Sequence, residues 1–385
     1  MFQSTSNSAD TVSALEMMDS NTEHHDHELD DRQNNVTYPT TIDGYNIEEM
    51  VGRGTHSTIW SAHCGTKNRN VAIKKINMDN LKVDDIQNLF QNEVNMLSIS
   101  RHPNIVTYRT SFTDGVHLYV VTDLLDGGSM SDIMSRKFTS GIHDERLVAT
   151  ILKNILKALC YMHKTSHVHR DVKLSNVFVD SSGKFQLGDF ALSIPLFEDG
   201  HRIKSSFELA SNSFCWMAPE VFSQNAGYDY KADIWSFGIT ALELAYGTAP
   251  LSDLLPMQIM YHVMNESPPK LVDQEDFCWS SSFHDLITKV LQSNPDKRPN
   301  AAELMEHKFF KKAMSDTDAV EMLLKNTRLP AHIAGNANPT DYKGFEDEDG
   351  DTSKIACDTA DEWSWEEDKD RIPYLLSPIV NTSNI

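Results

Sequence analysis

Basic residues are scarce in this chain: 34 lysines and arginines face 56 aspartates and glutamates, for a formal charge of −22. A surface that tracks a phosphate backbone needs dense positive charge, so nucleic acid is not an expected partner. Cysteine is equally sparse. Cys64, Cys160, Cys215, Cys278 and Cys357 lie far apart and form no Cys-x-x-Cys pair. That pattern gives neither a zinc site nor a disulfide framework, and it points to a reducing compartment. No uninterrupted apolar run approaches the roughly 20 residues of a membrane span, and residues 1–5 lack a basic stretch leading into an apolar one. The expectation is a soluble, cytoplasmic protein, with the nucleus as a second compartment and no membrane insertion. No internal repeat is present.

What the chain does have is a 40% apolar fraction over 385 residues. That suits one two-lobed unit of about 270 residues with tails on either side. Residues 1–41 are polar and poor in aliphatic clusters, so they read as a disordered acidic tail. His24, His25 and His27 within it read as a solvated run rather than a metal site, because nothing nearby would fix ligand geometry. From residue 42 to 312 strand patterns come first and long amphipathic helices follow, an α+β order with a small sheet lobe (about 42–124) and a larger helical lobe (about 125–312). The spacing of Leu147, Ile151, Ile155, Leu159 and Met162 predicts a helix over 144–164. Residues 231–246 are apolar nearly all round and predict a buried helix. Residues 313–385 form an extension: 320–324 suggest one short docking helix, and the acidic segment 361–368 carries Trp363 and Trp365.

Several segments bear chemistry. Val51-Gly52-Arg53-Gly54-Thr55-His56-Ser57-Thr58-Ile59 has the form of a glycine-rich hairpin over phosphates. It lacks a third glycine, having Ser57, and taken alone it fits an ordinary turn between strands. A strand rather than a helix should follow Ile59, which excludes a dinucleotide-binding turn. In Val71-Ala72-Ile73-Lys74, period-two alternation puts Ala72 and Lys74 on one face, Ala72 to line an adenine slot and Lys74 to reach phosphates. The helix predicted over 84–100 places Glu93 on its apolar face with Ile86, Leu89, Phe90 and Leu97. A buried carboxylate needs a cation opposite it, and Lys74 is the candidate. Leu118-Tyr119-Val120-Val121 leads into Thr122, at the rear of the pocket, and then Asp123 and Leu125, whose backbone would bond adenine. Taken alone, that segment fits a strand end with a Gly-Gly turn equally well.

The densest cluster is His169-Arg170-Asp171-Val172-Lys173-Leu174-Ser175-Asn176, followed by Asp189-Phe190-Ala191. Asp171 can accept a proton from an attacking hydroxyl, Lys173 can sit against a transferring phosphate, and Asn176 with Asp189 can hold Mg²⁺ through oxygen ligands. Downstream, Glu220 has a partner in Arg298, and Asp233 on the buried helix is best explained as an acceptor bracing the 169–170 backbone. Arg170 adds a charge that a phosphorylated segment could neutralise, with Ser205, Ser206, Ser211 and Ser213 as candidate acceptors.

These residues resemble the protein kinase superfamily, over about residues 45–312. Lys173 points to its serine/threonine branch. Phe214-Cys215-Trp216-Met217-Ala218-Pro219-Glu220, the run from Gly227 to Thr240, and Lys297-Arg298-Pro299 are similar to the sterile-twenty-like, germinal-centre kinases, nearest the oxidative-stress-responsive and proline-alanine-rich group. The resemblance implies ATP and Mg²⁺ as cofactors, protein substrates, an upstream activating kinase, a place in stress or osmotic signalling, and a docking role for the Trp-x-Trp segment. Three departures stand out. Ala191 replaces the usual glycine, which would strain the alanine by about 1 kcal/mol if that position takes positive φ; Asn212-Ser213-Phe214 stands where the family has Gly-Thr-Pro; and the family's distal docking domain is expected to be lacking. Ala191 and the 212–214 change also suit a pseudokinase scaffold, against which stands the retention of Lys74, Glu93, Asp171, Asn176 and Asp189.

Overall fold

The computed structural model describes residues 37–53, 57–79, 94–198, 201–202, 213–223, 229–273 and 277–325. All of them belong to one of the chain's two compact units, Met1–Ala337. Five antiparallel strands come first: β1 (Tyr45–Arg53), β2 (Ser57–Cys64), β3 (Arg69–Asn77), β4 (Tyr108–Asp114) and β5 (His117–Asp123), in spatial order β1-β2-β3-β5-β4. Alternation sorts them into two faces. On β5, Leu118 and Val120 join the main core, whereas Tyr119 and Val121 join a second cluster with Tyr45, Val71, Ile73 and Phe112. Tyr45, Phe112 and Tyr119 stack in series there, with centroids 6.1 and 5.1 Å apart. Both faces of β5 are therefore buried. The short helix α1 (Asn95–Ile99) precedes β4.

The helical lobe begins after the two-residue strand β6 (Gly128–Ser129), with α2 (Met130–Lys137) and α3 (Glu145–Lys164). Helix α3 starts where Asp144 accepts a hydrogen bond from the Arg146 N–H, and Leu147, Ile151, Ile155, Leu159 and Met162 are all buried along it. The predicted bounds and face are those observed. A short strand β7 (His167–Val168) leads to the segment 169–176, and β8 (Val177–Asp180) with β9 (Lys184–Leu187) form a hairpin beside β6. Helices α4 (Pro219–Ser223), α5 (Lys231–Tyr246), α6 (Pro256–Asn265), α7 (Ser281–Val290), α8 (Ala301–Met305) and α9 (Asp316–Leu324) complete the described chain.

Helix α5 is the lobe's axis. It is buried on every side, as its composition predicts, and its polar residues Asp233, Ser236, Thr240 and Glu243 fall at intervals of three and four, on one stripe. That stripe lies under the segment 169–176. Beyond the 312 boundary read from sequence, α9 packs against α3 through buried Ala319, Val320 and Leu323.

Candidate active site

The catalytic segment runs from His169 to Asn176, and buried acceptors force its unusual backbone. Asp233, fully buried on α5, accepts from the His169 N–H at 2.9 Å and the Arg170 N–H at 2.8 Å, and its Oδ2 lies 2.9 Å from His163 Nε2. Burial would raise this carboxyl, but the hydrogen bond from His163, together with His169, holds it below its ordinary range. The brace expected of Asp233 is present. Two donors locked to one carboxylate stabilise Arg170 in the left-handed region at φ 71°, where a side chain costs about 1–2 kcal/mol.

His169 is 0% exposed and neutral, because burial depresses its basicity. Its Nδ1 accepts from the Asp171 N–H at 3.2 Å, so Nε2 carries the proton and donates to Gly188 O at 3.1 Å. One imidazole thus ties the Asp171 segment to the residue before Asp189. Asn176 N–H donates to Lys173 O at 3.0 Å, and Asn176 O accepts from the Gly188 N–H at 2.9 Å, a second tie.

Asp171 sits at the centre. Asn176 Nδ2 donates to its Oδ2 at 2.8 Å and to its backbone oxygen at 2.8 Å, Lys173 Nζ lies 3.0 Å from Oδ2, and Ser213 Oγ donates to Oδ1 at 2.6 Å. Lys173 Nζ also donates to Ser213 Oγ at 2.6 Å. Ser213 is 2% exposed and spends its hydroxyl here, so the structure removes it from the candidate phosphorylation sites. In this position it bridges Lys173 and Asp171, which gives the 212–214 departure a geometry. Ser205, Ser206 and Ser211 lie outside the described residues.

Asp189 also has a left-handed backbone, φ 60°, and its side chain keeps 41% of its accessible surface. Lys74 Nζ donates to Oδ1 at 3.3 Å. The Lys74 ammonium, outweighing burial, and then Lys173 hold the carboxyl below its ordinary range. Ala191 is not among the residues of positive φ, so the strain anticipated for it falls on Asp189 instead. The amide of Asn176 uses Nδ2 for Asp171, so Oδ1 is the atom it could offer a cation. With the Asp189 carboxylate this is a pair of hard oxygen donors, the set that suits Mg²⁺ shared with phosphates.

The sheet supplies the opposite wall. Gly52 faces Ile59 across β1 and β2, and Ile59 faces Lys74 across β2 and β3, so the three form one row. A Cβ on Gly52 would meet Ile59 Cδ1 at 3.3 Å, a tight contact that a small shift of Ile59 would relieve. Val51 adjoins this row on β1, and Ala72 faces Thr122 across β3 and β5. Asp123 donates its N–H to Thr107 O at 3.0 Å. Its side chain turns to Arg109, which donates from Nε and Nη2 at 2.7 and 2.8 Å, so any bond from Asp123 to a ligand falls to its backbone carbonyl. Leu125 follows and is buried. Gly54 and Glu93 lie outside the described residues, as do the His24–His27 run, Trp363 and Trp365.

Sequence reasoning missed the rest of the α5 stripe. Ser236 Oγ donates to Trp216 O at 2.7 Å, Thr240 Oγ1 donates to Val172 O at 3.2 Å, and Glu243 Oε2 accepts from Trp216 Nε1 at 3.0 Å and from the Leu174 N–H at 3.3 Å. Polar residues at helical spacing on an otherwise apolar helix were the available signal. Burial pushes Glu243 up to about 7. Farther out, Arg298, 1% exposed, grips Glu220 with two hydrogen bonds at 2.6 and 2.8 Å, the expected pair.

The protein kinase domain family matches residues 45–310. Among curated relatives, the chain is 39% identical over 332 residues to serine/threonine-protein kinase fray2 of Dictyostelium discoideum, covering 81% of this chain and 32% of that protein. It is 36% identical over 350 residues to germinal center kinase 3 of Caenorhabditis elegans, covering 86% and 56%. To serine/threonine-protein kinase ppk11 of Schizosaccharomyces pombe it is 36% identical over 279 residues, covering 72% and 85%. The chain thus spans about a third to just over half of the first two relatives. Fold, constellation and kinship agree: this chain belongs to the protein kinase domain family, among its sterile-twenty-like, germinal-centre serine/threonine kinases.

Proposed function

We propose that the chain is an ATP-dependent serine/threonine protein kinase that moves the γ-phosphoryl group of Mg-ATP to protein hydroxyls. The observation that carries this reading is Asp171, aimed by Asn176, Lys173 and Ser213, beside the Lys74–Asp189 pair at 3.3 Å. Asp171 would orient and deprotonate the acceptor hydroxyl. Lys173 and Lys74 would offset charge on the transferring and the α- and β-phosphates, with Glu93 as the intended partner of Lys74. Ala72, Thr122, Val51 and Ile59 would line the adenine slot, the Asp123 carbonyl and Leu125 N–H would bond the base, and Gly52 and Gly54 would admit the phosphates. Asn176 and Asp189 would hold Mg²⁺, which supplies charge compensation at the phosphoryl oxygens. Positioning and fixed electrostatics do the rest, and alignment alone can lower a barrier by about 7–11 kcal/mol.

Residues 42–312 form the catalytic unit in this reading, with 1–41 and 313–385 appended. An upstream kinase acting on Ser205, Ser206 or Ser211, a role in stress or osmotic signalling, and a cytoplasmic location with access to the nucleus complete it. Purified protein given Mg-ATP and a generic serine/threonine substrate should incorporate phosphate, and Asp171→Ala should lose at least about a thousandfold. Equal incorporation by the two proteins would overturn the proposal.

A further inference from the structure

Helix α9 lies beyond the matched family domain, yet one of its carboxylates enters a buried chain of hydrogen bonds that ends at the metal-binding loop. Asp316 Oδ1 accepts from Asn154 Nδ2 at 2.7 Å, and Asp316 Oδ2 lies 3.7 Å from Lys157 Nζ. Asn154, on α3, is 2% exposed and saturated at both ends. Its Nδ2 donates also to Thr150 O at 3.0 Å, and its Oδ1 accepts from Asn104 Nδ2 at 2.8 Å and Lys157 Nζ at 3.1 Å. The Asp316 carboxylate and the Thr150 carbonyl can only accept and the Lys157 ammonium can only donate, so together they fix which way this amide faces, and Asp316 takes up its second N–H.

From Asn104 the chain of contacts runs into β9. Asn104 Nδ2 donates to Phe185 O at 2.9 Å, and Asn104 O accepts from the Leu187 N–H at 2.8 Å. Leu187 O in turn accepts from the Val106 N–H at 3.0 Å. Next comes Gly188, where a Cβ would stand 2.8 Å from Val106 Cγ2, so the segment before β4 touches the loop without slack. Gly188 is the residue tied to His169 and Asn176, and Asp189 follows it.

We infer that Asp316 is a positioning residue for Asp189, acting through Asn154 and Asn104 to hold β9 and the Gly188 turn in register. Residues appended to the kinase domain thereby set how well its metal-binding loop is formed. The inference rests on the reading of Asp189 as a Mg²⁺ ligand, but the relay itself is a property of the unliganded protein. Loss of the Asp316–Asn154 contact, by release of α9 or through a partner, changes the demand for Mg²⁺ before it changes the chemistry at Asp171.

The test uses the full chain and three variants. Asp316→Ala removes the acceptor, Asp316→Asn keeps an oxygen facing Asn154, and Val320→Ala loosens the packing of α9 without touching the relay. Amide hydrogen exchange in the nucleotide-free protein reads the relay directly. Asp316→Ala should speed exchange at Val106, Leu187 and Gly188 by about tenfold. It should also raise the Mg²⁺ concentration for half-maximal ATP binding by about tenfold, in the range of outer-shell metal substitutions. Asp316→Asn should restore both, and Val320→Ala should lower the melting temperature while leaving both unchanged. Should Asp316→Ala behave as Val320→Ala does, the carboxylate is only a packing contact and the inference fails. If the wild type shows no Mg²⁺-dependent ATP binding, the proposed function fails instead, while the exchange rates still decide the relay.

Discussion

Glu243 is a buried carboxylate whose charge is insecure at neutral pH. Its ordinary value of 4.5 becomes about 7 on folding, through burial first, against the hydrogen bonds of Trp216 and Leu174. Between those values the folded protein keeps a proton that the unfolded chain has released, so this group's stabilisation is complete below about pH 4.5 and is lost as pH rises through about 7. Glu243→Gln should therefore gain stability relative to wild type, by about 1 kcal/mol or more, between pH 5 and pH 8. Urea unfolding at both pH values checks this, and a pH-independent difference would contradict it. Asp233 presents the opposite case, a carboxylate that must stay charged. Replacing it with alanine strands the N–H groups of His169 and Arg170, for which we predict a loss of about 3 kcal/mol or more in unfolding free energy together with loss of phosphate transfer. A stable, active Asp233→Ala protein would show that the 169–170 backbone holds its φ unaided.

At the scale of elements, the contact between β9 and the segment before β4 leaves no room for a side chain at Gly188. Gly188→Ala should push the added methyl into Val106, with Phe178 Cε2 next at 3.0 Å, and weaken Mg²⁺-dependent nucleotide binding by about tenfold, with Val106→Ala restoring part of it in the double variant. Binding titrations of the three proteins decide whether steric pressure is the cause; independent, additive losses would refute it. The elements themselves were largely legible in the sequence. The apolar face of α3 follows from periodicity and the burial of α5 from its nearly all-round apolar composition, and Asp233 betrayed itself as an acid on a helix largely committed to the core. The bridge made by Ser213 was not legible, because its value depends on a segment forty residues downstream folding back onto Lys173 and Asp171. Nor was the relay from Asn104 through Asn154 to Asp316, whose members are separated by 50 and 162 residues and look like ordinary surface polar positions. Ala191 misled for a related reason: the motif suggests strain at its third residue, whereas the backbone places positive φ at its first.

For the whole molecule, the account requires groups from the sheet, the catalytic segment and the β9 turn to meet on one nucleotide and one ion. Lys74 comes from β3, Asp171 and Asn176 from the segment braced by α5, and Asp189 from the turn after β9. ATP affinity measured by calorimetry with and without Mg²⁺, for wild type, Lys74→Met and Asp189→Asn, tests that convergence most directly. The account predicts tight binding by wild type only with Mg²⁺, loss of the Mg²⁺ dependence in Asp189→Asn, and weaker binding in Lys74→Met whether or not the ion is present. Unchanged affinity and unchanged Mg²⁺ dependence in both variants would contradict it.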